Sequence, residues 1–192
     1  MQLNPADPKF IIGLVVILAI ILIGVALYVS HRRKTTEKLR QRFGSEYDRA
    51  VLKHGSESKA QANLEERETR VDHLDIRELT TTERERYLAD WQTVQSRFVD
   101  HPKGSVTEAD ELVSSLMRDR GYPVADFDQR AADISVNYPR VVEHYRSGHA
   151  VAVRLGSDEA TTEDLRTAMI QYRTLFDELL QTHVPKEISS AA

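Results

Sequence analysis

The sequence predicts an all-α protein: one amino-terminal transmembrane helix followed by a helical bundle on the cytoplasmic side. Three observations predict it. Residues 10–29 are apolar without interruption, apolar residues further on recur at three- and four-residue steps, and no stretch alternates apolar with polar residues long enough to make a strand. The chain has 192 residues, 41% hydrophobic and 29% charged, the composition of an ordered protein rather than a disordered tail.

Residues 10–29 read FIIGLVVILAIILIGVALYV, with no charge and no Asn, Gln, Ser or Thr. At about 1.5 Å per residue such a helix is about 30 Å long, the thickness of a hydrocarbon core. A cleaved leader has a shorter apolar region, about 7 to 15 residues, and a small-x-small cleavage site. Bulky and basic residues follow this one, so an uncleaved anchor is expected. Lys9 stands alone before the run, whereas Arg32, Arg33, Lys34, Lys38, Arg40 and Arg42 follow it. The positive-inside bias then places the amino terminus outside and the body in the cytoplasm. Arg32, Arg33 and Lys34 are the candidate lipid-headgroup contacts, each worth about 1 kcal/mol. Gly13 and Gly24 stand eleven apart and do not form a four-residue dimerisation motif.

The parts expected are a flank at 1–9, the span at 10–29 and a basic juxtamembrane segment at 30–42. A charged helical segment at 43–79, a bundle at 80–183 and a loose tail at 184–192 follow. Residues 31–42 carry a net charge of +5 and residues 43–192 carry −9. An acidic body repels phosphate backbones, so nucleic acid is not an expected partner. The absence of cysteine removes disulfides, thiolate metal sites and Cys nucleophiles together.

Within the body, helices are expected at 45–54 and 58–79, the second with a thin apolar stripe of Ala60, Leu64, Val71 and Leu74 that leaves most of it a solvated face, with pairing to a partner as the alternative. Thr80 with Glu83 and Thr82 with Glu85 are spaced as capping boxes for the next helix, whose apolar face is Tyr87, Leu88, Trp91, Val94 and Phe98. Ser105 with Glu108 repeats the box after a turn at 101–104, and Val106, Ala109, Leu112, Val113, Leu116 and Met117 give a broad core face. Gly121 and Pro123 end it. A shorter helix at 124–134 has Asp126 and Gln129 at cap spacing, and Pro139 is placed as the first residue of a helix running to Gly156. Gly148 interrupts that helix, and 150–154 also has some strand character. Thr161 with Asp164 opens the last helix, which ends before Pro185.

No glycine-rich phosphate loop, HExxH, GxSxG or calcium loop is present, so no cofactor and no metal motif is expected and a binding module is favoured over an enzyme. Two constellations remain. His144 and His149 are five apart, hence about 140° apart on a helix, and do not face one metal without a bend. Asp110 and Glu111 read as first-turn acids that complement the helix dipole. The candidate ligand or partner residues are therefore Trp91, Gln95, His144, Tyr145 and His149.

The stretches RFGSEYDRAV at 42–51, WQTVQSRFVDHP at 91–102, and TEDLRTAMIQYRTLFDELL at 162–180 resemble a family of bacterial proteins with an amino-terminal membrane segment and no assigned activity. The resemblance implies a bacterial source and a shared module, and carries over no catalytic residue. The expected function is a single-pass anchored module that binds another protein or its own copies. The alternative is a tethered enzyme or a ligand or metal binder with a site near His144.

Overall fold

The computed structural model describes the backbone of residues 8–123, 126–155 and 160–181; within the first helix it describes side chains at 17–24, 26, 27, 30 and from 34 onward. The described residues are all-helical, in eight helices, and contain no strand. The chain divides into two compact units, Met1–Gln41 and Arg42–Ala192.

The first unit holds most of α1 (Pro8–Phe43). The helix continues past residue 29 through the basic segment. No Gly or Pro interrupts 25–43, and Lys, Arg, Glu, Leu and Gln are good helix formers. Among the described residues no helix is long and apolar enough to cross a membrane, so the fold does not by itself support the expected span at 10–29. The described side chains begin partway along the apolar run and pass into the charged turns that hold Lys34, Glu37 and Lys38.

The second unit contains α2 (Ser45–His54), α3 (Glu57–Asp72), α4 (Thr81–Arg97), α5 (Pro102–Asp119), α6 (Phe127–Asn137), α7 (Val142–Arg154) and α8 (Thr162–Gln181). Helix α8 packs on both α5 and α7, α4 packs on α5, and α3 lies against α2 and α6. Trp91, Val113, Leu116, Tyr145, Tyr172 and Phe176 are among the buried side chains of the core these helices enclose. Trp91 stacks on Phe176 with ring centroids 4.6 Å apart.

Several element ends follow the expected chemistry. Thr80 and Glu83 form a reciprocal capping box, and Asp126 accepts from the Gln129 amide. The Asp164 amide donates to the Thr161 hydroxyl, and Asp164 in turn accepts from the Thr161 amide. The Arg77 guanidinium, the Thr80 amide and the Thr80 hydroxyl together hold the Glu83 carboxyl at about 2. A carboxyl depressed on folding adds stability above its unfolded value that is lost as pH falls. The box is thus expected to weaken between about pH 4.5 and about pH 2. Urea unfolding across that window checks it: Glu83→Gln flattens the slope there.

Other ends are corrected. Helix α3 stops at Asp72 rather than at 79 because residues 73–80 run across the core, burying Leu79 and packing Leu74 and Ile76 against it. This crossing is stitched to the end of α5: the Arg77 amide donates to the Arg120 carbonyl at 2.9 Å, and Arg120 Nε donates back to the Arg77 carbonyl at 3.3 Å. The same buried Arg120 donates to the Tyr138 hydroxyl and the Leu179 carbonyl, each at 2.7 Å.

Helix α5 starts at Pro102, three residues before the expected Ser105 cap. Ser105 is buried, and Glu108 instead pairs with Arg97 at 3.2 Å. Pro139 lies in the turn before α7 rather than opening that helix. Helix α7 runs unbroken through 150–154 and through Gly148, whose Cβ position would lie 3.3 Å from the Tyr172 ring. Gly148 marks a close approach of α7 to α8, not a break. The stop placed at Gly156, the Val124–Ala125 start and the 184–192 tail lie outside the described residues.

Candidate functional site

The sequence-selected residues fall into three separate places. The first is a groove between α4 and α8, where Trp91 and Gln95 come together. Phe98, Met169 and Ile170 supply the apolar lining of this cavity of about 420 Å³, and Arg173 stands at its edge. The period of three to four residues on both helices puts these side chains in facing rows. Ile170 is 59% exposed, whereas Trp91 is buried. The Trp91 indole Nε1 is buried with no hydrogen-bond partner. Arg173 lies 5.6 Å above the Trp91 ring and is held by Asp177 at 2.7 Å. The site is thus apolar at its base, with one buried donor and a fixed cation, the mixture expected of a recognition groove.

The second place is a polar cluster among α5, α6, α7 and α8. It contains Tyr145 and His149 of the expected set, joined by Asp110, Arg130 and Tyr172. His149 stacks on Phe127 at 3.6 Å, and its Nδ1 lies 3.8 Å from the Asp110 carboxylate. Asp110 Oδ1, Arg130 Nε, Tyr145 Oη, His149 Nδ1 and Tyr172 Oη are all buried without a hydrogen-bond partner. Arg130 Nη1 is engaged by the Ser114 hydroxyl. Burial raises the Tyr145 hydroxyl to about 12, and burial followed by the Asp110 carboxylate raises that of Tyr172. Burial also pulls His149 below its ordinary value against the opposing pull of Asp110.

His144 joins neither place. It is exposed on the other side of α7, where its Nδ1 meets the Gln171 side-chain oxygen. The expected divergence of His144 and His149 is what the helix produces. Lys34 is exposed, and the side chains of Arg32 and Arg33 lie outside the described residues.

The third place was not selected from the sequence. Glu46, 2% exposed, receives Arg146 at 3.0 and 3.1 Å, Arg67 at 3.4 Å and Arg49 at 3.4 Å. Burial lowers the Arg67 guanidinium and Glu46 opposes that shift. Arg70 meets the buried Asp133 at 2.8 Å beside it. These pairs line a cleft of about 930 Å³ on which Lys53 is also paired, with Asp128 at 3.5 Å. Every lysine and arginine on that wall already faces an acid, so the cleft is a brace tying α2 to α3 and α7. The 42–51 motif has the same role. Phe43, Tyr47 and Ala50 are buried beside Glu46, Gly44 makes the turn at φ 53°, and Arg42 reaches Glu68 at 2.9 Å.

The missed residues had a common signal: a charge at an apolar-face position. Glu46 lies between Phe43 and Ala50, Arg67 between Leu64 and Val71, and Asp110 between Val106 and Val113, each at helical steps. The thin stripe of α3 is covered within the chain by α2 and α6.

No family model, curated protein or solved structure matches this chain.

Proposed function

We propose that the protein is a membrane-anchored recognition module. In this reading the apolar part of α1 sits in a bacterial inner membrane with the amino terminus outside. The cytoplasmic body takes an apolar segment of a partner protein into the α4–α8 groove. The observation that carries the anchor is the exposure of Ile17, Leu18, Ile20, Ile21, Leu22, Ile23 and Leu27, between 55% and 67% each. Successive residues on a helix point about 100° apart, so these side chains surround it, and an all-round apolar helix is stable in lipid rather than in water. Arg32, Arg33 and Lys34 would then lie at the anionic headgroups.

The Trp91 groove supports recognition because it pairs an apolar floor with an unsatisfied indole donor. The alternative of an enzyme or ligand site near His144 gains no such support, since His144 is turned to Gln171 on the surface.

Three measurements test the reading. Alkaline carbonate extraction should leave the full chain in the membrane pellet, and a reporter active only in the cytoplasm should be active when fused after Ala192. Release into the supernatant, or an expressed but inactive fusion, contradicts the anchor or its direction. A photo-crosslinker at position 95 should yield a protein adduct in bacterial membranes that Ile170→Glu abolishes. Ile170 is exposed, so this change should shift stability by less than about 0.5 kcal/mol. An adduct insensitive to Ile170→Glu, or none, removes the groove from the proposal.

A further inference from the structure

We infer that the partner received by the α4–α8 groove is a second copy of this chain, docked about a twofold axis with the two α8 helices antiparallel. Such docking rests on the proposed role of the groove as a recognition surface and names its occupant.

Helix α8 has two faces. One buries Leu165, Tyr172, Leu175 and Phe176 in the core, where α8 packs on α5 and α7. The other presents Glu163, Arg166, Thr167 and Ile170 to solvent at three- and four-residue steps. A twofold contact uses one patch twice, so that patch must hold both a projection and a recess. Here Ile170, 59% exposed, is the projection, and the hollow lined by Trp91, Phe98 and Met169 is the recess. Across a twofold axis each Ile170 enters the hollow of the other copy. Both exposed apolar side chains then leave water, and both hollows are filled.

The charges along α8 set the register. Arg166 and Asp177 flank Ile170 on the groove side and stand about three turns apart. Antiparallel α8 helices that cross between residues 171 and 172 set Arg166 of each copy opposite Asp177 of the other, so one axis makes both pairs. A parallel alignment would set Arg166 beside Arg166 and Asp177 beside Asp177, like against like. Both groups are open to the exchange. Arg166 meets Glu163 of its own helix at 3.5 Å with both side chains mostly exposed, a weak pairing. Asp177 accepts from Arg173 through Oδ2, and a carboxylate has lone pairs for a second donor. In this register the incoming Ile170 falls opposite Arg173, whose apolar stem covers the Trp91 ring. A contact of two small hollows belongs to the weak size class in solution. A single-pass anchor offsets that weakness, because copies held in one membrane meet at a raised effective concentration.

The chain has no cysteine, so introduced thiols report alone. In intact bacterial cells, full chains carrying Arg166→Cys and differently tagged full chains carrying Asp177→Cys should join through a short bismaleimide. The two positions lie opposite each other across helix axes about 8–10 Å apart. Either variant alone should give no product, because its two thiols are displaced by about 16 Å along the axes. The adduct formed by a photo-crosslinker at position 95 should have the mass of two chains. Arg166→Asp or Asp177→Arg should each cut that adduct by about tenfold, and the two combined in one chain should restore it. No mixed product, a product from either cysteine variant alone, or no recovery in the double reversal overturns the second copy as occupant. A position-95 adduct with a different protein and no two-chain product also overturns it but leaves the groove a recognition surface, whereas no adduct of any kind removes both.

Discussion

Replacing Glu46 with glutamine should lower the unfolding free energy by about 3–5 kcal/mol, the usual cost of removing one member of a buried ion pair. The effect is large because the carboxylate serves several cations. Arg67 and Arg146 are 9% and 14% exposed at the side chain, and without Glu46 both would keep a buried charge that its oxygens no longer answer. Arg49, half exposed, should contribute little. Denaturant unfolding of the full chain in detergent measures the loss. The double variant Glu46→Gln with Arg67→Met should recover part of it, because the orphaned charge is then absent. A single-variant loss below about 1 kcal/mol would mean that the brace is solvated and contributes no more than a surface pair.

Gly121→Ala should be comparably damaging, although it adds a single carbon. Gly121 has φ 95°, a conformation that disfavours any side chain, and a Cβ there would be driven into the carbonyl group of Asp75. Backbone strain costs about 1–3 kcal/mol. Overpacking adds about 1–3 kcal/mol. Thermal unfolding should show the drop, with Gly104→Ala as the control, since a Cβ at Gly104 meets nothing within 4 Å. Equal midpoints for the two variants would refute the close approach of residues 75 and 121.

Much of the architecture was legible because periodicity and caps agreed. Helix α2 occupies the expected residues, and α4 and α8 begin at the expected threonines. Misplacements occurred where proline could serve two purposes. Pro102 opens α5, since a helix start needs no amide from its first residue, whereas Pro139 sits in the turn after α6, next to the helix-ending Tyr138. Of the candidate residues, the pairing of Trp91 with Gln95 follows from helical spacing alone. Joining Tyr145 and His149 to Asp110 required knowing where α5 starts: the shift to Pro102 takes Asp110 out of the first turn and onto the inner face. Glu46 and Arg67 were passed over because charge was equated with exposure, and their partners lie up to 100 positions away.

The two-way stitch between Arg77 and Arg120 also bears on how this molecule would come apart. Residues 73–80 join the early helices to the later ones, and an unattached connector of that kind is where proteases cut first. Here its chain is bonded to the close of α5 and anchored by Leu79, so cleavage there must await a larger opening. The α2–α3 hairpin should accordingly exchange its amides together with the bundle, as part of one cooperative body and not as a detachable arm.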